Sequence, residues 1–177
     1  MNKTNNFALI SADVGEALKR SASSLASADV DLSESVAMII SAQESTQDAS
    51  KVGNALKSLS VNLKGIKTNA KSGSIELNKT AMALKKYAGI DVTKSNGDIM
   101  DTFEILTELS KKWDTFNKQT KAGISESIAG KYQYNVFNAM MDNWEQALSF
   151  QQQYKDGWMV GSAEKEKQYS PYVQKCA

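Results

Sequence analysis

The sequence contains no histidine and a single cysteine, Cys176, and these absences exclude several kinds of active site. Without histidine, neither a Ser-His-Asp or Cys-His catalytic arrangement nor the common zinc sites can form. One cysteine provides neither a disulfide framework nor a thiolate cluster. We therefore expect no catalytic residue, no metal site and no cofactor, and we do not expect an enzyme.

Long apolar runs and an excess of either charge are absent too. The longest apolar run covers residues 36–40, so we expect no membrane span. Residues 7–10 are too short for the apolar region of a signal peptide, which makes a reducing cytoplasm the expected place of synthesis. With 21 basic and 20 acidic residues the net charge is +1, which does not favour a nucleic-acid partner.

Proline is nearly absent, and this scarcity favours helices. Pro171 is the one proline, and 41% of the residues are apolar, an ordinary share for a folded protein. We predict an all-α bundle of six to eight short helices, with a short extended segment near residues 90–92. Residues 1–10 and 156–177 are expected to be extensions that flank a helical domain at 11–155. The predicted breaks are at glycines: Gly65, Gly73, Gly89, Gly97 and Gly130.

The first half of the chain carries three helix patterns. The first helix is predicted to begin near Ser11 or Asp13, and its many small residues would allow a neighbouring helix to approach closely. Asp31 and Glu34 have the spacing of a capping box, and Asp48 is a suitable cap for the next helix. The third pattern is the most regular, with apolar residues at helical spacing: Val52, Ala55, Leu56, Leu59 and Leu63.

Residues 69–100 combine turn signals with shorter patterns. Residues 69–74 have the composition of a loop, and Leu77 and Leu84 are predicted to lie on one helix that ends at Gly89. Asn96-Gly97 is interpreted as a turn at the start of the next helix, with Ser95 and Asp98 flanking its cap.

The stretch at residues 106–148 contains two of the three tryptophans and is predicted to organise the fold. One helix ends at Trp113, a polar break covers residues 114–117, and a second helix ends before Gly130. A third helix should bury large side chains against the rest of the chain: Val136, Phe137, Met140, Met141, Trp144 and Leu148.

Three aromatic residues are weighed as core or surface. Continuing the third helix back to Gly130 places Tyr132 in line with Val136, which predicts a buried position. Tyr134 falls in line with polar residues and is predicted to be exposed. We select Tyr134 and Trp158 as candidates for a partner interface, because exposed aromatic residues are enriched at such surfaces.

Two groups of charged residues could carry chemistry. The carboxylates of Asp101, Glu104 and Glu108 have helical spacing and could act in acid–base catalysis if buried together, but a solvated face is the better interpretation. Seven lysines make residues 57–86 locally basic: Lys57, Lys64, Lys67, Lys71, Lys79, Lys85 and Lys86. Phosphate binding and a solvated surface are both open for them, and their irregular spacing favours the surface.

Several segments resemble phage tail tape-measure proteins of the TP901-type family. The similarity is strongest at residues 52–60, VGNALKSLS, and at residues 128–136, IAGKYQYNV, the latter preceded by residues 109–113. A further GSA-x-x-E element at residues 161–166 resembles the same family. The resemblance covers roughly residues 11–166.

This resemblance implies a structural protein of the virion tail that acts in tail assembly and tail-length determination. It implies tail-tube and other tail-assembly proteins as partners, and a homo-oligomer. Short broken helices predict a folded domain, whereas a ruler segment would be a continuous helix rising ~1.5 Å per residue. The alternative is a stand-alone, phage-derived module that binds a host protein, for example as a trigger or inhibitor of antiphage defence.

Overall fold

The computed structural model describes the backbone of residues 3–64, 66–68 and 75–155, and the side chains of residues 12–64 and 76–155. Eight α-helices, a π-helix and a two-stranded hairpin occur in these ranges. The bounds are α1 Lys3–Ala26, α2 Leu32–Thr46, α3 Ala49–Leu63, β1 Ile66–Thr68, β2 Ile75–Leu77, α4 Lys79–Ala83, the π-helix Leu84–Ala88, α5 Thr102–Trp113, α6 Lys118–Ala129, α7 Tyr134–Asp142 and α8 Trp144–Lys155. The predicted all-α bundle is confirmed.

The helices of the first half begin at the predicted caps. The side chain of Asp31 accepts a hydrogen bond from the backbone N–H of Glu34, and the Glu34 carboxylate accepts one from the Asp31 N–H, which is a complete capping box. Asp48 caps α3 by accepting from the backbone N–H of Lys51. Each cap satisfies donors that a helix N-terminus leaves without an intrahelical partner. In contrast, α1 begins at Lys3, so the start predicted near Ser11 or Asp13 is wrong.

A single apolar core runs through the bundle. Helix α1 packs along α3, α2 packs on α3, α7 and α8, and α6 packs on α3 and α7. Helices α2 and α8 run antiparallel, since Asn143 Nδ2 donates to Ser45 Oγ and Gln151 Nε2 donates to Ser33 Oγ at the other end. The apolar stripe predicted for α3 is entirely buried in this core.

The segment between α3 and α5 differs from its prediction at two places. Leu77 pairs with Ile66 in the antiparallel hairpin of β1 and β2, so its assignment to a helix is wrong. Gly97 lies in a second small turn, with φ +89°, which is closed by an isolated pairing of Thr93 with Ile99. The extended segment expected near residues 90–92 leads into this turn. The predicted loop at 69–74 and the glycines Gly65 and Gly73 lie outside the described residues.

Helix α5 therefore begins later than predicted. Its first residue is Thr102 and its cap is Asp101, which forms a second capping box with Glu104, so Ser95 and Asp98 do not flank the cap. The break at residues 114–117 is confirmed, with Asn117 capping α6. The predicted third helix divides at Asn143 into α7 and α8, and Leu148 is 39% exposed rather than buried.

Candidate functional site

Trp113 lies at the centre of the α5, α6 and α7 packing. Its ring meets the ring of Phe137 edge-on at 5.8 Å between centroids and that of Phe116 at 6.4 Å. Its indole Nε1 donates a hydrogen bond of 2.8 Å to Asp142 Oδ1. The ammonium of Lys121 lies 4.9 Å from the ring centroid, a cation–π distance. Apolar contact, a hydrogen bond and a cation thus fix one side chain.

Trp144 forms a second aromatic contact where α8 begins. Its ring lies 5.1 Å from that of Phe103, and its Nε1 donates to Thr107 Oγ1 at 3.3 Å. Both tryptophans are 2% exposed, so the burial predicted for Trp144 is confirmed. Because each ring is buried against side chains of more than one helix, the two tryptophans hold the bundle together.

The crossing of α1 and α3 depends on the absence of a side chain. A Cβ built on Gly53 would lie 2.7 Å from the backbone oxygen of Ala17 and 2.9 Å from Arg20 Cβ. No real Cβ makes such contacts, so the helices meet this closely because residue 53 is glycine. The small residues noted in α1 were a signal for a close neighbour, and an isolated glycine in a helix pattern indicates the same.

The segments at 52–60 and 128–136 both contribute residues to the apolar core. Asn62, two residues beyond the end of the first segment, donates a 2.7 Å hydrogen bond from Nδ2 to the backbone oxygen of Ile128. Thr80 Oγ1 donates to the oxygen of Ser127 at 2.9 Å, which ties α4 to the same end of α6. Gly130 ends α6 with φ +75° and donates its N–H to Glu126. The two segments share one packing unit.

The turn between α6 and α7 forms an exposed aromatic corner, which we define as Lys131, Tyr132 and Tyr134. Tyr132 is 95% exposed, so the core position predicted for it is wrong. Gly130 breaks the helix, and α7 begins only at Tyr134, so helical periodicity does not extend back to Tyr132. Tyr134 is 41% exposed, as predicted. Its interface role stays a prediction, and Trp158 lies outside the described residues.

The carboxylates considered for acid–base chemistry have structural partners. Asp101 and Glu104 form the cap of α5, Glu104 also binds the Lys94 ammonium at 2.6 Å, and Glu108 pairs with Lys111. The Lys94 ammonium lowers the pKa of Glu104. Burial raises the pKa of Asp101, and the neighbouring charge of Glu104 raises it further. Each carboxylate thus has a visible role in the helix or at its surface.

A shallow cleft of about 510 Å³ lies beside these carboxylates, between α2, α5 and α8. Phe103 and Leu148 supply its apolar part, and Glu34 faces Asp101 from the start of α2. Burial raises the pKa of Glu34, and the nearby Asp101 charge adds to that effect. Across residues 12–64 and 76–155 no group of three potential metal ligands comes together, and across the described helices none is long and apolar enough to cross a bilayer.

Comparison with known proteins gives one family. The model of the phage-related minor tail protein family matches residues 2–130, which include α1 to α6 and both halves of the Asn62–Ile128 contact. No solved structure matches the chain. Helices α7 and α8 lie beyond the matched range but complete the same core through Phe137 and Trp144. The match covers well over half of the sequence, so the chain belongs to the phage-related minor tail protein family and is a phage tail protein.

Proposed function

We propose that the chain is a folded domain of a tail tape-measure protein and acts in tail assembly and tail-length determination. The observation that supports this most is that residues of both 52–60 and 128–136 belong to one apolar core. These two segments carry the strongest resemblance to tape-measure proteins, and Asn62, two residues beyond the first segment, donates a hydrogen bond to Ile128 in the second. Because both segments contribute to the same core, a folded domain requires both of them.

The proposed role is that of a folded domain and not of the ruler segment itself. A ruler measures length by continuous helical rise of ~1.5 Å per residue. Among the residues that the structure describes, the longest helix is α1 with 24 residues, and the helices after α3 have at most 12. These helices pack on one another around Trp113 and Trp144, so the domain does not extend in proportion to its residues.

We further propose that the domain acts by binding and not by catalysis. Its partners would be tail-tube and other tail-assembly proteins, with further copies of the same protein in the assembled tail of the virion. The aromatic corner at Lys131, Tyr132 and Tyr134 is a suitable contact surface, since tyrosine contributes large contact area at low entropic cost. The capping and ion-pair partners of Asp101, Glu104 and Glu108 support a structural use of the acidic residues.

An in-frame deletion of residues 11–155 in the parent phage or prophage tests the proposal. If these residues were ruler, tails would shorten by about 220 Å at ~1.5 Å per residue. If they form an assembly domain, tails should be missing or of irregular length in electron micrographs. Normal tails of unchanged length would contradict the proposal and favour the alternative, a stand-alone module that binds a host protein.

A substitution at the aromatic corner tests the proposed contact without removing the domain. Tyr134→Ser combined with Tyr132→Ser should reduce the yield of complete tails while leaving the free energy of unfolding within about 0.5 kcal/mol. Tyr154→Ser on α8, a tyrosine that is 42% exposed and belongs to neither surface, is the matched control. A peptidoglycan-lysis assay of the purified protein checks the binding role, and lysis abolished by a single Glu→Gln change would contradict it.

A further inference from the structure

A second exposed surface lies on α4 and the π-helix, on the side that faces away from the domain core. Asn78 caps α4 through the Ala81 N–H and also donates a 2.7 Å hydrogen bond to the backbone oxygen of Asn62. Residues on one side of this segment are buried: Thr80, Ala81, Leu84 and Ala88. The segment is therefore fixed to α3 and α6, and its other side is presented to solvent.

The solvent side of this segment carries two large apolar side chains. Met82 is 49% exposed and Tyr87 is 48% exposed. The i→i+5 bonding of the π-helix holds more residues in a turn than an α-helix does, which places Tyr87 outward between the buried Leu84 and Ala88. Single π-turns are frequent at functional sites, and methionine adapts readily to different partners.

Two exposed lysines accompany these apolar side chains. Lys79 and Lys86 are exposed, and neither forms an ion pair with any residue that the structure describes, whereas Lys85 pairs with Asp91. The Lys86 ammonium lies 4.9 Å from the Tyr87 ring centroid. We define Lys79, Met82, Lys86 and Tyr87 as the α4 face. Its apolar centre and flanking positive charges match a segment of opposite charge.

We propose that the α4 face docks an acidic, amphipathic segment of a protein partner. Asp or Glu side chains of that segment would pair with Lys79 and Lys86, and an aliphatic side chain would pack on Met82 and Tyr87. Charge complementarity of this kind sets orientation and association rate, while the apolar contact supplies affinity. A nucleic acid fits less well, because half of the face is apolar and a single aromatic ring provides no series of stacking platforms.

Binding of a defined peptide tests the proposal directly. The probe is a synthetic helix with Glu and Leu at i, i+4 spacing, and amide NMR shifts of the full chain report where it binds. We expect shifts centred on residues 79–88 and weaker binding at higher salt, because the exposed charges are screened. A peptide with Lys in place of Glu and a single-stranded oligonucleotide serve as the competing probes.

Charge reversal distinguishes the face from general electrostatics. The double variant Lys79→Glu with Lys86→Glu should weaken peptide binding about tenfold or more, and Met82→Ser with Tyr87→Ser should do the same. Lys19→Glu with Lys118→Glu, at two exposed lysines outside the α4 face, makes the same change in net charge and should have little effect. All these side chains are exposed, so the fold should persist, which circular dichroism checks.

Three binding results would overturn the proposal. They are no saturable binding of the Glu peptide up to about 1 mM, equal binding of the Lys peptide, or tighter binding of the oligonucleotide that is lost in the same variants. Shifts centred on the aromatic corner instead of residues 79–88 would also overturn it. The tail-assembly role proposed above does not depend on this outcome, since its test is the tail phenotype.

Discussion

Two regions of the bundle reach close packing in opposite ways. At the crossing of α1 and α3, the helices approach because Gly53 has no side chain to separate it from Ala17. Around Trp113, three helices are held together because a large ring fills the space between them and binds Asp142. The first region fails if volume is added and the second fails if volume is removed. Both regions belong to one core, so a change of packing in one region affects the packing in the other.

Removing volume from the aromatic region should have the largest effect. Trp113→Ala should lower the free energy of unfolding by about 3–5 kcal/mol, because it leaves a cavity and removes contacts with Phe137 and Phe116. Urea unfolding followed by circular dichroism measures the change. Trp113→Phe, which keeps a ring, should cost clearly less. A loss below about 1 kcal/mol for the alanine variant would mean that Trp113 is not central to the core.

Adding volume at the helix crossing should be the next largest effect. Gly53→Ala should destabilise the domain by about 1–3 kcal/mol, since the new Cβ meets the Ala17 backbone oxygen and the two helices must separate. A Cβ added at Gly123 on α6 would have no neighbouring atom within 4 Å among the described residues, so Gly123→Ala should instead stabilise by about 0.4–1 kcal/mol. If both substitutions changed the free energy of unfolding in the same direction, the close approach at Gly53 would no longer distinguish the α1–α3 crossing.

A change at Asp142 separates the hydrogen bond of Trp113 from its packing. Asp142→Ala should cost about 0.5–1.5 kcal/mol, because the indole N–H loses its acceptor while the ring keeps its apolar contacts. The same unfolding measurement applies, with Glu145→Ala on the exposed side of α8 as control. An effect as large as that of Trp113→Ala would show that polar contact, and not ring volume, holds this region.

The smallest expected effect lies outside both regions, at Glu34. Burial raises its pKa in the folded state, so the folded protein binds a proton more readily than the unfolded chain there. Stability from this group is therefore present at low pH and is lost as pH rises through the raised pKa. Glu34→Gln keeps an acceptor for the Asp31 N–H and should stabilise the domain by a few tenths of a kcal/mol near pH 7. Unfolding at several pH values measures this, and a variant that loses stability at pH 7 would contradict it.

The sequence was sufficient to predict features that depend on local chemistry. The capping box of Asp31 and Glu34, the cap at Asp48 and the buried stripe of α3 follow from short-range spacing, and the structure has each of them. Features that depend on distant partners were predicted less well. Leu77 belongs to a strand because it pairs with Ile66, and nothing in its own neighbourhood distinguishes that from a helix.

The surface residues show the same difference between features that follow from local spacing and features that do not. Tyr134 was predicted to be exposed from its place on α7, whereas Tyr132 was misassigned because Gly130 ends the helical register before it. The exposure of Met82 and Tyr87 does not follow from the sequence pattern, since a π-helix does not have the α-helical period on which such patterns depend. The role of Gly53 needed the position of Ala17, more than thirty residues away, although small residues in α1 indicated a close neighbour.

Detection of the natural product in purified virions tests the central claim most directly. An antibody raised against this chain should label the tail in electron micrographs and should bind, in the same virions, a band whose mass can be compared with 19.3 kDa. We predict tail labelling and a band several times heavier than this, as a domain of a tape-measure protein requires. Absence of the chain from virions, with a product near 19.3 kDa only in infected cells, would contradict the account.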